Sequence, residues 1–267
     1  MLFEPQSTEL KKHIDHYWIE RDATHILTNF STIYAYPGIT PDMIIVLDGS
    51  YTIDYMGKRI RSNRSRLFSF IHKEVILDVS ELKSFIIIKF KSRALSSLLP
   101  FIATSTDVMM RDSVVFCEDV FGPETERLIA HLKTLTMEEM SESLDEWFHQ
   151  KYNASREGFM TEMALDVSAE CDLSAIMDRT NLSYSTVERY FKKEAGLTPK
   201  RFQSLQRYKK AIRELYTTGN TDWHHYIEKY GYYDQSHFIK EVKRFTSFTP
   251  SQLLDTPAFI QCRPKYL

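Results

Sequence analysis

Towards the C-terminal end of the chain, apolar positions recur every three or four residues in short runs, and each run is cut by a turn signal, a pattern that predicts a series of amphipathic helices. Two of these runs repeat each other at an offset of 51 residues, Thr186-Val-Glu-Arg-Tyr-Phe-Lys-Lys-Glu-Ala-Gly-Leu-Thr-Pro199 and His237-Phe-Ile-Lys-Glu-Val-Lys-Arg-Phe-Thr-Ser-Phe-Thr-Pro250. In each copy an apolar pair four residues apart, Val187/Phe191 and Phe238/Val242, marks one helix face, while Ser185/Arg189/Lys192 and Ser236/Lys240/Lys243 lie opposite. Ahead of each copy stands a shorter helical run, 173–177 and 223–227, and then a break: Asn181-Leu182 with Ser183 as N-cap, and Gly231-Tyr-Tyr233 with Asp234 as N-cap. Each unit therefore reads helix, turn, helix, and the Thr198-Pro199 and Thr249-Pro250 steps end the second helix. Between the units, 200–216 reads as one longer helix, with Phe202, Leu205, Tyr208, Ile212 and Leu215 inward and Lys209, Lys210 and Arg213 outward.

The first hundred residues change period. Short β-rich segments at 25–36, 43–47, 51–55, 67–70, 75–79 and 85–90 alternate with turn signals at 36–42, Asp48-Gly49 and Met56-Gly57, the pattern of a sandwich or barrel. From Pro100 the period turns helical, with Leu128, Leu132, Leu135, Leu144, Trp147 and Phe148 at helical spacing. The expected fold class is α+β. Residues 1–157 would form a β-rich, cupin-like sandwich with a helical connector over about 100–157, and 158–267 an all-α region with two helix-turn-helix units. Residues 158–172 would be the boundary.

Charge sharpens this division. The 267 residues carry a net charge of −2, yet residues 171–267 hold sixteen basic and ten acidic side chains, a net of +6, which leaves −8 for the rest. A basic end faces a polyanion, and an acidic remainder avoids it. A short helix with a cationic, polar outer stripe suits the DNA major groove, whose walls are phosphates and which admits one α-helix. Two copies imply two adjacent grooves on double-stranded DNA.

The second copy, Gly231-Tyr-Tyr-Asp-Gln-Ser-His-Phe238 followed by Lys243-Arg-Phe-Thr246 and Thr249-Pro-Ser-Gln252, resembles the signature of AraC/XylS-type transcription regulators, and the resemblance spans about 171–254. Arg189-Tyr-Phe-Lys-Lys193 and Gly196-Leu-Thr-Pro199 fit the family's first unit. Three positions depart from it: Ile227 stands where the family favours Ala, Val242 where it favours Phe, and Ser247 where it favours Gly. The resemblance implies a sequence-specific regulator, with reading helices near 184–195 and 235–246. Placed by the family's motif, the base-edge candidates are Ser185, Glu188 and Arg189 in the first reading helix, and Gln235, Ser236, Ile239 and Lys240 in the second. Arg189 can donate twice to guanine, Glu188 can accept from cytosine, Gln235 can pair with adenine, and Ile239 can meet a thymine methyl. Lys192, Lys193, Lys243 and Arg244, with the helix starts capped at Ser183 and Asp234, are assigned to phosphates.

The N-terminal part resembles the β-sandwich sensor of an AraC-like subgroup, through Tyr17-Trp18, the Pro-Gly and Pro-Asp turn, and Phe85-Ile-Ile-Ile-Lys-Phe90 leading into Ala94-Leu95. This implies an effector of unknown identity or a homodimer, and RNA polymerase as a partner of an activator.

The remaining chemistry is sparse. His13, His16, His25 and His72 come without a matching Cys or carboxylate cluster, and adjacent His224 and His225 do not converge on one ion, so no metal, cofactor or catalytic set is expected. Cys117, Cys171 and Cys262 are odd in number and widely spaced, which suggests free thiols. Lys58-Arg-Ile-Arg61 through Arg64 and Arg66 reads as a solvated strand edge or an anion site. Tyr17, Trp18, Tyr34, Tyr36, Tyr51 and Tyr55 fit either a ligand pocket or strand-face packing. The N-terminus has no signal-peptide pattern and no apolar run approaches about 20 residues, so cytoplasm is the expected location and no membrane partner is expected. Two rival classes stand beside the regulator: a cupin-like enzyme fused to a DNA-binding module, and a ligand-independent regulator acting through protein contacts.

Overall fold

The computed structural model describes residues 1–23, 32–35, 40–55, 57–68, 75–91, 94, 98, 114–152, 173–195 and 198–255. Among these the strands are β1 (Leu2–Phe3), β2 (Ile14–Glu20), β3 (Thr32–Ala35), β4 (Asp42–Gly49), β5 (Tyr51–Tyr55), β6 (Lys58–Ser62), β7 (Arg66–Phe68), β8 (Val75–Asp78), β9 (Leu82–Phe90) and β10 (Val114–Phe116). They form two antiparallel sheets in the N-terminal part. The larger has the order β1-β2-β9-β4-β7-β10 and the smaller β3-β8-β5-β6.

The central strands β4 and β9 read as nearly unbroken apolar runs because both of their faces are covered. Ile44, Val46, Phe68 and Phe85 face inward and pack with Tyr51, Ile53, Val75 and Leu77 of the smaller sheet, forming the sandwich core. Met43, Ile45, Ile86 and Ile88 belong to a second cluster, with Val120, Leu128, Leu132, Leu144 and Phe148 from α1 (Cys117–Phe121), α2 (Glu124–Leu132) and α3 (Met137–Lys151). These helices, expected as a connector, are thus the lid of the larger sheet. Phe90 meets Phe148 edge to face at 5.5 Å. Buried Asp145 accepts from Tyr17 Oη and from the Gln6 amide, each at 2.6 Å. Thr136 caps α3 in a reciprocal box with Glu139.

Several expectations for this half change. The stretch after Pro100 is not helical throughout, since Val114–Phe116 pairs antiparallel with β7 as the sheet's edge. Strand β2 escapes the alternation test because a register shift between Ile14 and His16 breaks its period. Tyr17 and Tyr51 are core residues, and Trp18 packs on Phe85 at 5.4 Å. The side chain of Tyr34 and the whole of Tyr36 lie outside the described residues, as do His25, His72, Cys171, Cys262 and the boundary 158–172. Cys117 is buried, and burial pushes its thiol up. The basic stretch includes β6, the exposed edge strand of the smaller sheet, with Arg59 near Asp78 at 3.7 Å and Arg61 on Glu81 at 2.5 Å. Those pairings favour the solvated edge over an anion site.

The C-terminal helices are α4 (Leu173–Thr180), α5 (Tyr184–Ala195), α6 (Pro199–Thr218), α7 (Trp223–Tyr230), α8 (Gln235–Thr246) and α9 (Pro250–Leu254). Their core is continuous with the cluster beneath the larger sheet. Lys209, expected outside, instead lies half-buried at the seam between the two regions. Its Nζ donates to Thr40 Oγ1 at 3.4 Å, close to the Lys89–Asp42 ion pair of 2.8 Å. Burial and the neighbouring Lys89 lower its pKa to about 8, against the pull of Asp42. Among the described residues no helix is long and apolar enough to cross a membrane, and no group of three or more His, Cys, Asp or Glu could hold a metal ion.

Candidate nucleic-acid interface

The two helix-turn-helix units are built alike from their caps outward. In the first, Asn181 takes a left-handed φ of 54° after α4, and Ser183 Oγ accepts from the Thr186 amide at 3.4 Å at the start of α5. In the second, Gly231 takes a φ of 67° after α7, and Asp234 Oδ1 accepts from the His237 amide at 2.7 Å at the start of α8. The left-handed residue ends one helix sharply and the cap starts the next in a new direction. The turns still differ by one residue, since 181–183 join the first pair of helices and 231–234 the second.

The apolar faces of both reading helices are seated on α6. Val187, Phe191, Phe238 and Val242 are fully buried. Phe191 meets Phe202 edge to face at 5.4 Å, and Tyr208 meets Phe245 at 4.6 Å, so the one helix α6 carries the first unit near its start and the second near its middle. Phe238 is further enclosed by Tyr226, stacked at 5.6 Å with an interplanar angle of 2°, and by Tyr232 at 4.9 Å. Thr198 and Pro199 start α6, Gly219 closes it, and Phe202, Leu205, Tyr208, Ile212 and Leu215 form its buried stripe as the sequence spacing predicts.

A buried ion pair fixes the second unit and escapes sequence reading. Glu241 on α8 is 7% exposed, and it accepts from Arg207 Nη2 at 2.9 Å, Arg207 Nε at 3.1 Å and Ser204 Oγ at 2.8 Å. Arg207 also donates to the Gly231 carbonyl at 3.4 Å and lies over the Tyr232 ring at 4.6 Å. One guanidinium of α6 thereby ties down the end of α7, the turn and α8. The 51-residue repeat sets Tyr190, exposed on α5, against Glu241, so the first unit has no equivalent of this tie at that position. An acidic residue within a basic helix reads as surface; only the mismatch with Tyr190 distinguishes it.

The outer faces carry most of the predicted contact residues. Ser185 and Arg189 on α5, and Gln235, Ser236 and Lys240 on α8, are exposed, while Glu188 and Ile239 are half-buried at equivalent places of the two copies. Glu188 pairs with Lys192 at 2.8 Å, which joins a base-edge candidate to a phosphate candidate. Ser183, Lys192, Asp234, Lys243 and Arg244 are exposed, and the side chain of Lys193 lies outside the described residues. One further residue shares these faces. Tyr184, 45% exposed at the first position of α5, stands where the repeat puts Gln235, a match the 51-residue offset already contains. Arg201, half-buried on α6, has its pKa lowered by burial and by Arg244.

Residues 176–256 match the family model of the helix-turn-helix domain. No curated protein sequence matches the chain. Among solved structures the chain is similar to ToxT from Vibrio cholerae O395, with 12% identity over 90% of this chain and 95% of that one at a TM-score of 0.44. It is similar also to ToxT bound to (E)-4-(8-methylnaphthalen-1-yl)but-3-enoic acid, with 10% identity over 90% and 98% at a TM-score of 0.46. With its duplicated caps and its signature around Gly231–Phe238, the region 176–256 of this chain is a helix-turn-helix domain of the AraC/XylS type.

Proposed function

We propose that the chain is a sequence-specific DNA-binding transcription regulator that reads two adjacent major grooves with α5 and α8. The observation that carries this reading is the seating of both reading helices on the single helix α6, through Phe191–Phe202 and Tyr208–Phe245, with polar faces left outward. Ser185, Glu188, Arg189, Gln235, Ser236, Ile239 and Lys240 are assigned to base edges. Lys192, Lys193, Lys243 and Arg244 are assigned to phosphates, with the capped amides at Ser183 and Asp234. Residues 158–267 serve as the reading domain, and 1–157 serve regulation, through an effector or through self-association that presents the reader to RNA polymerase.

Binding sites selected by the wild-type chain from a random duplex pool provide the test. Arg189→Ala is expected to cost about 1–3 kcal/mol on the selected site and to relax preference at one base pair. Lys243→Ala is expected to weaken selected and random duplexes alike and to lower the salt slope by roughly one unit. Equal loss on all sequences for Arg189→Ala moves that residue to the phosphates. A wild-type chain that enriches no sequence overturns the proposal.

A further inference from the structure

The extra residue of the second turn is Tyr233. Pairing the left-handed residues Asn181 and Gly231, and the caps Ser183 and Asp234, leaves Leu182 opposite two tyrosines. Leu182 is partly buried against the core, and Tyr232 is 5% exposed, so these two correspond. Tyr233 is then the insertion, and it is 90% exposed.

From this we propose that Tyr233 is a DNA-backbone contact whose phenolic hydroxyl donates a hydrogen bond to a phosphate at the lip of the groove entered by α8; the assignment rests on the DNA-reading function proposed above. The backbone around Tyr233 is pinned on both sides. The Tyr232 amide donates to the Ile227 carbonyl at 3.0 Å, the Tyr233 amide to His237 Nδ1 at 3.2 Å, and the His237 amide to Asp234 at 2.7 Å. A fully hydrated aromatic side chain on so tightly held a loop adds nothing to the core, yet it sits immediately before the cap of a 12-residue reading helix. In helix-turn-helix docking the start of the second helix enters the groove, which brings the residue ahead of its cap to the phosphate wall. A phenol suits that wall, with a ring for the sugar edge and a donor for the phosphate. The first unit lacks the insertion, so the contact belongs to the second groove alone.

The test compares Tyr233→Phe and Tyr233→Ala with wild type, on duplexes selected from a random pool by the wild-type chain and on unselected duplex. Both variants are expected to lose affinity roughly tenfold on both DNAs, the low end for a hydrogen bond to a charged acceptor. Melting temperature should stay unchanged, and so should the salt slope, because a neutral donor releases no counterion. Ethylation interference should lose one phosphate within the element bound by α8. Wild-type affinity in Tyr233→Phe overturns the hydroxyl contact, and so does a loss confined to selected DNA or one accompanied by a lower melting temperature. A wild-type chain that selects no site overturns the parent reading instead, an outcome visible before either variant is made.

Discussion

Ser247 shows how one side chain can sit against its backbone. It closes α8 with φ 63° and ψ −4°, the left-handed conformation in which a Cβ crowds the carbonyl and which glycine adopts freely. Its amide still donates to the Lys243 carbonyl at 2.9 Å, so the helix ends correctly at a conformational cost. Ser247→Gly is expected to raise stability by about 0.5–1 kcal/mol, less than the full left-handed penalty because glycine also gains freedom in the unfolded chain. Thermal melting checks it, and a lower melting temperature would show that the serine hydroxyl compensates. The departure from glycine at this position is visible in the sequence, but its meaning depends on φ. Tyr233 is the converse case, since a fixed 51-residue offset passes through the turn without showing where the added residue lies.

At the scale of elements, the bracing helix α7 is joined to α6 by a polar cluster around Glu214. The carboxylate accepts from His225 Nε2 at 2.8 Å, from Lys229 at 2.9 Å and from Tyr230 Oη. Burial pushes its pKa up, but the hydrogen bonds from Tyr230, Lys229 and His225 outweigh burial and hold it at about 2, below the ordinary 4.5. A depressed carboxylate pKa contributes stability that is full above about 4.5 and lost as pH falls through about 2. Glu214→Gln is therefore expected to cost roughly 2 kcal/mol at neutral pH, with the difference from wild type shrinking across that acid window. Parallel melting curves against pH decide it, and a pH-independent difference would remove the charge from the explanation. None of this cluster shows in the hydrophobic pattern, which predicts α5, α6 and α8 well because their stripes are regular and their caps explicit. Strand β1 is too short to carry a pattern, the period of β2 is broken by its shift, and β10 lies in a stretch whose helical spacing begins just after it.

At the scale of the whole molecule, the seam at Lys209 joins the sheet region to the helix that carries both readers. The Lys89–Asp42 ion pair of 2.8 Å stands there, and Lys209 brings a second ammonium close to it. With a folded pKa of about 8 against an ordinary 10.5, Lys209 binds its proton less readily in the folded state. Its charge is a cost below about pH 8 that fades as pH rises towards 10.5. Lys209→Met is expected to melt higher than wild type at pH 7, with the gain shrinking between pH 8 and 10.5. A variant that melts lower would mean that the hydrogen bond to Thr40 outweighs the cost of the half-buried charge. Helix α6 has a different kind of consequence. The seats of the two readers, Phe202 and Tyr208, lie roughly 9 Å apart along its axis, and every residue between them advances about 1.5 Å while rotating about 100°. Adding or removing one residue between Phe202 and Tyr208 would swing one reader about the axis far more than it would slide it. The register of α6 between these two seats is therefore a gear ratio between the two helices of protein and DNA: the number of residues separating Phe202 from Tyr208 can change only together with the spacing of the DNA it reads.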